Sequence, residues 1–146
     1  MSFSIRRAVE FLQDEVADQW TPEPLTVGQY EGMVLYGIKR LYTDTGRALA
    51  YDTSNYTVDE EEGLLFNEDL PIDEQEYVML CAKINFFKRV QTEANNAVDY
   101  STNAIKVSGV GKRMDAIKGT LDDLEARRRE LFYHMPRYTL DYAITD

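Results

Sequence analysis

Two short motifs in the sequence carry residue types that can do chemistry. The tripeptide DTG at residues 44–46 matches the loop that supplies a catalytic carboxylate in aspartic proteases, but that chemistry needs two such loops, and this one ends a helical pattern. The run GVGK at residues 109–112 resembles the end of a phosphate-binding loop. Lys106 stands where that loop needs its first glycine, and Arg113 stands where a hydroxyl must reach the metal. We therefore interpret DTG as a helix C-terminus with Gly46 near the cap, and GVGK as a turn.

The remaining candidates for catalysis or metal binding are single residues or simple charge runs. His134 is the only histidine, and its place in the last turn of a helix suits a side chain that complements exposed carbonyls. Cys81 is the only cysteine, and its apolar neighbours predict a buried, unreactive thiol. The acidic run at residues 59–62 lacks the spaced ligands and the turn glycine of a calcium loop. We expect no enzyme activity, no cofactor and no metal site.

The only cluster of basic residues is at 127–129. Consecutive residues on a helix are about 100° apart, so three arginines cannot form one patch. Arg128 must lie near the apolar seam between Leu124 and Leu131. Two interpretations stay open: a carboxylate from another helix or another subunit pairs with its charge, or its aliphatic stem covers the seam. We name Arg128 as a candidate subunit contact.

The chain is strongly and unevenly acidic. It has 26 acidic and 16 basic residues, a net charge of −10. Residues 1–82 hold 17 acids and 5 bases, whereas residues 83–146 hold 9 acids and 11 bases. A protein that grips nucleic acid by its phosphates needs a basic face, so this balance excludes that mode of binding. We also expect neither a signal peptide nor a membrane span, because charged residues follow the start of the chain without an apolar run.

Helical periodicity dominates the sequence and must position any functional surface. A first helix starts at an N-cap, Ser4, and a second opens near Thr26. Glycines in the second helix predict a close helix contact at one or two of them. Residues 43–70 are expected to form a long acidic connection, with a short turn of helix or strand around residues 63–66.

The second half of the sequence predicts two long helices. One runs over 74–97 with Asp73 as N-cap and Glu76 completing a capping box, and the other runs over 112–135 with apolar residues near heptad spacing. The link between them, residues 101–111, is small and polar and has the alternation of a short strand or hairpin arm. The expected fold is mainly α, a bundle of about four helices with a central antiparallel hairpin, forming one domain over residues 1–136.

The C-terminal tail, residues 137–146, alternates apolar and polar residues with a period of two. Its apolar positions are Tyr138, Leu140, Tyr142 and Ile144. A terminal strand has no obvious partner in a helical fold. The tail either lies back across its own bundle or is donated to another subunit through main-chain hydrogen bonds and alternating pockets.

Four segments in order carry a resemblance to a known family. These are a capped acidic start, LPIDEQEY at residues 70–77; a helix through KINFFKRV at 83–90; a small-residue link, YSTNAIKVSG at 100–109; and a charged heptad-like helix ending in LFY at 131–133. This order resembles the head–tail connector, or adaptor, proteins of long-tailed bacteriophages. The acidic stretch 51–69 and the N-terminal helix depart from the family's most compact members.

The resemblance implies a structural virion protein made in the host cytoplasm and located in the neck, at the capsid–tail junction. Its subunits would form a ring, expected to be a dodecamer, below the portal protein. The ring would extend the DNA channel without specific DNA binding and would receive the next neck or tail protein. Docking on the portal would involve the tail residues Tyr138, Leu140, Tyr142 and Ile144. The alternative is a generic helical interaction or regulatory module of phage or bacterial origin.

Overall fold

The computed structural model describes residues 3–19, 21, 24–46, 56–67, 70–101 and 108–135. Within these ranges the chain is mainly helical, as predicted. The helices are α1 (Ile5–Glu15), α2 (Val27–Thr45), α3 (Ile72–Ser101) and α4 (Ser108–His134), and the strands are β1 (Phe3–Ser4), β2 (Tyr56–Asp59) and β3 (Gly63–Phe66). No helix in this part of the chain combines the length and the apolar character that crossing a membrane would need.

The ends of the first two helices follow from local side-chain chemistry. The Ser4 Oγ accepts a hydrogen bond from the backbone N–H of Arg7 at 3.2 Å, which caps α1. Thr26 caps α2 in a complete capping box with Gln29. Gly46 ends α2 in the left-handed conformation, at φ 81°, as the DTG interpretation predicted.

Helices α3 and α4 both begin earlier than predicted. The carbonyl of Pro71 already accepts from the N–H of Gln75 at 2.9 Å, so Asp73 lies inside the first turn and is not the N-cap. In α4 the helix starts at Ser108, and Gly109 and Gly111 lie within it instead of forming a turn. Each interior glycine destabilises a helix by about 1 kcal/mol relative to alanine, and the other residues of this 27-residue helix offset that loss. Of the predicted link, residues 102–107 lie outside the described residues.

A three-stranded antiparallel sheet occupies much of the segment that we expected to be an acidic connection. Its strand order is β1-β3-β2, with Tyr56 opposite Phe66 and Phe3 also opposite Phe66 on the other side. The acidic run 59–62 is therefore the last residue of β2 and the turn of a β-hairpin, closed by Gly63 at φ 79°. Arginines of α1 bind this turn: Arg6 Nη1 donates to the Glu61 carbonyl at 2.8 Å, and Arg7 Nη2 donates to Glu62 Oε1 at 3.0 Å.

The core lies where α3 packs against α2 on one side and α4 on the other. The largest fully buried side chains include Tyr42 and Ile38 of α2, Tyr77 and Phe86 of α3, and Phe66 of β3. The close helix contact predicted for the glycines of α2 is at Gly37, where an added Cβ would lie 2.4 Å from the Val78 carbonyl oxygen. Two helix axes can approach this closely only because that side chain is missing.

Candidate interaction site

Arg128 lies in a polar cluster beneath α4. Its Nη1 donates to the Tyr77 hydroxyl at 3.0 Å and lies 3.6 Å from the Asp44 carboxylate, while its Nε donates to Glu125 at 3.1 Å. The Tyr77 hydroxyl in turn donates to Asp44 Oδ2. Asp44 also accepts from Arg40 Nε at 2.7 Å. One arginine of α4 is thus tied to residues of both α2 and α3.

The surroundings of this cluster stabilise the ionised form of Glu125 and the protonated form of Tyr77. Partial burial opposes ionisation of Glu125, but hydrogen bonds and charges from Arg128 and Lys88 outweigh it and lower the pKa of that carboxyl. Burial raises the pKa of Tyr77, and the hydrogen bond to Asp44 raises it further, so the hydroxyl stays protonated. The neighbouring Cys81 is buried, and burial raises its pKa to about 12. The predicted burial of this thiol is confirmed.

Of the two interpretations left open for Arg128, the cluster supports the one with a charge partner. That partner is the carboxylate of Asp44 on another helix of the same chain, and only 12% of the Arg128 side chain is exposed. Two hydrogen bonds and the ion pair with Asp44 connect Arg128 to residues of the same chain, so the cluster holds α4 in place. A contact between Arg128 and a second subunit stays a prediction.

A surface groove lies on another side of the molecule, between α1 and the first half of α3. Its volume is about 680 Å³, which is in the range of ligand and peptide sites. Phe3 of β1 and Arg127 of α4 also border it. Its apolar lining includes Phe3, Phe11, Ile72, Met79 and Leu80.

Two apolar side chains of the groove are more exposed than large apolar residues usually are. Phe11 is 51% exposed and Ile72 is 83% exposed. Charged side chains surround them in ion pairs: Lys83 with Glu15 at 3.1 Å and Arg127 with Glu76 at 3.7 Å. An apolar strip with a charged rim is typical of a protein-binding surface.

The residues that suggested catalysis or metal binding are not brought together. His134 ends α4 at the position expected for a cap, and Asp44 lies in the last turn of α2. Within the described ranges, no three His, Cys, Asp or Glu side chains are close enough to hold a metal ion. The acidic turn 59–62 is bonded to arginines of α1.

The predicted docking residues Tyr138, Leu140, Tyr142 and Ile144 lie outside the described residues, as does the whole tail 137–146. The groove was missed at the level of sequence, because its walls come from segments about 60 residues apart. One residue in the sequence could have indicated the groove. Phe11 is a large aromatic residue next to the buried stripe of α1, and its exposure has no role in packing the core.

No protein-family model, curated protein or solved structure matches the chain.

Proposed function

We propose that this protein is a structural subunit of a phage neck, which forms a ring below the portal, connects capsid to tail and extends the DNA channel. The proposal takes its specific content from the resemblance of residues 70–133 to head–tail connector proteins. The subunit has no catalytic role in this account. Its function is to present surfaces that bind other subunits.

The observation that carries an assembly role is the groove between α1 and α3. A chain with a net charge of −10 and a well-filled core still exposes Phe11 and Ile72 side by side with other apolar groups. Exposed apolar surface is costly in water, and in soluble proteins a concave apolar strip commonly marks a binding site. One of the two helices that form its walls, α3, is tied to α2 and α4 through the Arg128 cluster, which holds that wall in place.

The charge of the chain supports the channel role. Double-stranded DNA carries one phosphate charge for each 1.7 Å or so of its axis, and a basic lining would retain it. A ring of subunits, each carrying −10, would instead repel DNA along its path. Such a conduit lets DNA pass without binding it.

Capture of the portal by the tail tests the proposal. The full-length chain should bind the portal protein encoded in the same genome, and the double variant Leu140→Asp/Tyr142→Asp should lose that binding while its helical circular dichroism is unchanged. The control is Thr139→Asp/Ala143→Asp, which places the same charges on the other face of the alternating tail and should retain binding. Full binding by the first variant would contradict the docking role of the tail.

The alternative is a helical interaction or regulatory module. It also uses the groove as a binding surface, but it requires neither a ring nor a portal protein. A chain that binds no portal and stays monomeric in its presence would favour that alternative.

A further inference from the structure

The C-terminal half of α4 passes beside the groove between α1 and α3, where Arg127 borders it. The rings of Phe132 and Tyr77 lie 6.3 Å apart, and Arg127 pairs with Glu76, so the last turns of α4 pack against the first turns of α3. Met135, the last described residue, is buried. Ile72 and Glu76 of the first turns of α3 line the groove. The last described residue of α4 therefore follows about eight residues after a side chain that borders this groove.

The size of the groove fits the alternating part of the tail. Along α3 the groove extends from Ile72 to Lys83, a rise of roughly 17 Å at 1.5 Å per residue. An extended segment from Tyr138 to Ile144 spans about 20 Å. Pro136 prevents α4 from continuing, and only Arg137 separates it from Tyr138. The alternating segment thus has the length of the groove and begins three residues after the last described residue, Met135.

The chemistry of the two surfaces also matches. In an extended chain Tyr138, Leu140, Tyr142 and Ile144 share one face, with side chains about 7 Å apart, and that face is apolar apart from the two tyrosine hydroxyls. The opposite face carries Thr139, Asp141 and Ala143 and suits solvent. Seating the apolar face on Phe11, Ile72 and Met79 would remove both surfaces from water.

We propose that the groove is the binding site for the chain's own C-terminal segment, residues 138–144, in the free subunit. The functional consequence rests on the proposed portal docking: the portal must compete with the groove for the same apolar face. The free subunit would then keep its docking segment covered, and assembly would proceed only where a portal is present. This is the within-chain placement of the tail that the sequence left open.

Site-specific photo-cross-linking on the full chain tests the site directly. Tyr142 is replaced by p-benzoylphenylalanine, and the dilute protein is irradiated and mapped by mass spectrometry. The expected result is cross-links within one chain to peptides covering residues 3–15 or 72–83. Phe11→Asp and Ile72→Asp, at exposed positions that the fold tolerates, should each lower the yield roughly ten-fold. Val58→Asp, at a position about as exposed as Ile72 but on β2 and outside the groove, should leave the yield unchanged.

Three results would overturn the proposal: cross-links that map outside the groove, cross-links formed only between two copies, or a yield unaffected by both groove variants. The outcome is separable from that of the portal experiment. Cross-links in the groove without portal capture would refute only the docking function, and portal capture without groove cross-links would refute only the groove as the covering site.

Discussion

Arg127 and Arg128 are adjacent in sequence but lie in different surroundings, and the difference predicts different energetic roles. Arg128 is 12% exposed and bonded to Tyr77 and Glu125, whereas Arg127 is 61% exposed and lies 3.7 Å from one carboxylate. Exposed pairs contribute little because solvent screens them. A partly buried group that loses its partner instead bears the cost of desolvation.

We therefore expect Arg128→Ala to lower the free energy of unfolding by about 1–3 kcal/mol, and Arg127→Ala by less than about 0.5 kcal/mol. In the Arg128→Ala variant Asp44 still pairs with Arg40, and Glu125 still pairs with Lys88. These remaining ion pairs limit the loss of stability. Urea unfolding of both variants measures the difference. Equal losses would show that the cluster beneath α4 does not hold that helix.

Replacing each of two glycines of α2 by alanine should change the stability of the fold in opposite directions. Gly37→Ala places a Cβ 2.4 Å from the Val78 carbonyl oxygen, so α2 and α3 must separate, and we expect a loss of about 1–3 kcal/mol. At Gly32 none of the described atoms lies within 4 Å of an added Cβ. Gly32→Ala should therefore stabilise the helix by up to about 1 kcal/mol. Thermal unfolding of the two variants checks the signs, and a stable Gly37→Ala would contradict the close packing of these helices.

At the scale of elements, Glu125 links α4 to α3 through Lys88, at 3.5 Å, and also holds Arg128. Its pKa is lowered in the folded chain, so its ionised form stabilises the fold above the unfolded pKa. That contribution is lost as the pH falls through the lowered folded value. Glu125→Gln should be less stable than the wild type at pH 7, and the gap should close in acid. Urea titrations at a series of pH values measure the difference in the free energy of unfolding between the two proteins. A difference independent of pH would contradict the ionic role of Glu125.

The sequence predicted the elements whose signals are local. Ser4, Thr26 and Gly46 mark helix ends because a cap depends on residues within one turn. The strand β3 at residues 63–66 is one of the two alternatives predicted there. The sheet as a whole was not foreseen, because β1 pairs with β3 from about 60 residues away and the acidic run hid the hairpin turn. The starts of α3 and α4 were placed too late, since a long helix extends past a good cap residue or a glycine when its other contacts hold it.

The same reasoning explains which parts of the candidate site were predicted. Arg128 was found from the phase of one helix, and a carboxylate partner was one of the two interpretations that its position near the apolar seam left open. The identity of Asp44 as partner depends on how α2 packs against α4, which no local pattern encodes. The groove depends on the placement of α1 against α3 and left only Phe11 as a sign in the sequence.

For the whole molecule, the charge of −10 predicts how the protein behaves toward DNA. In an electrophoretic assay at about 50 mM salt, where non-specific binding is strongest, the chain should not retard double-stranded DNA. A basic DNA-binding domain run in parallel provides the positive control. Retardation that weakens steeply with salt would reveal a phosphate-binding face and contradict a conduit that repels DNA.

The central claim is that this acidic helical subunit assembles as a ring under a portal. Electron micrographs of the purified protein, alone and mixed with the portal protein of the same genome, test it most directly. The account predicts a ring of additional density, coaxial with the portal channel and present only in the mixture or strongly enriched by it. Portal particles that remain bare at saturating concentrations of this protein would contradict it.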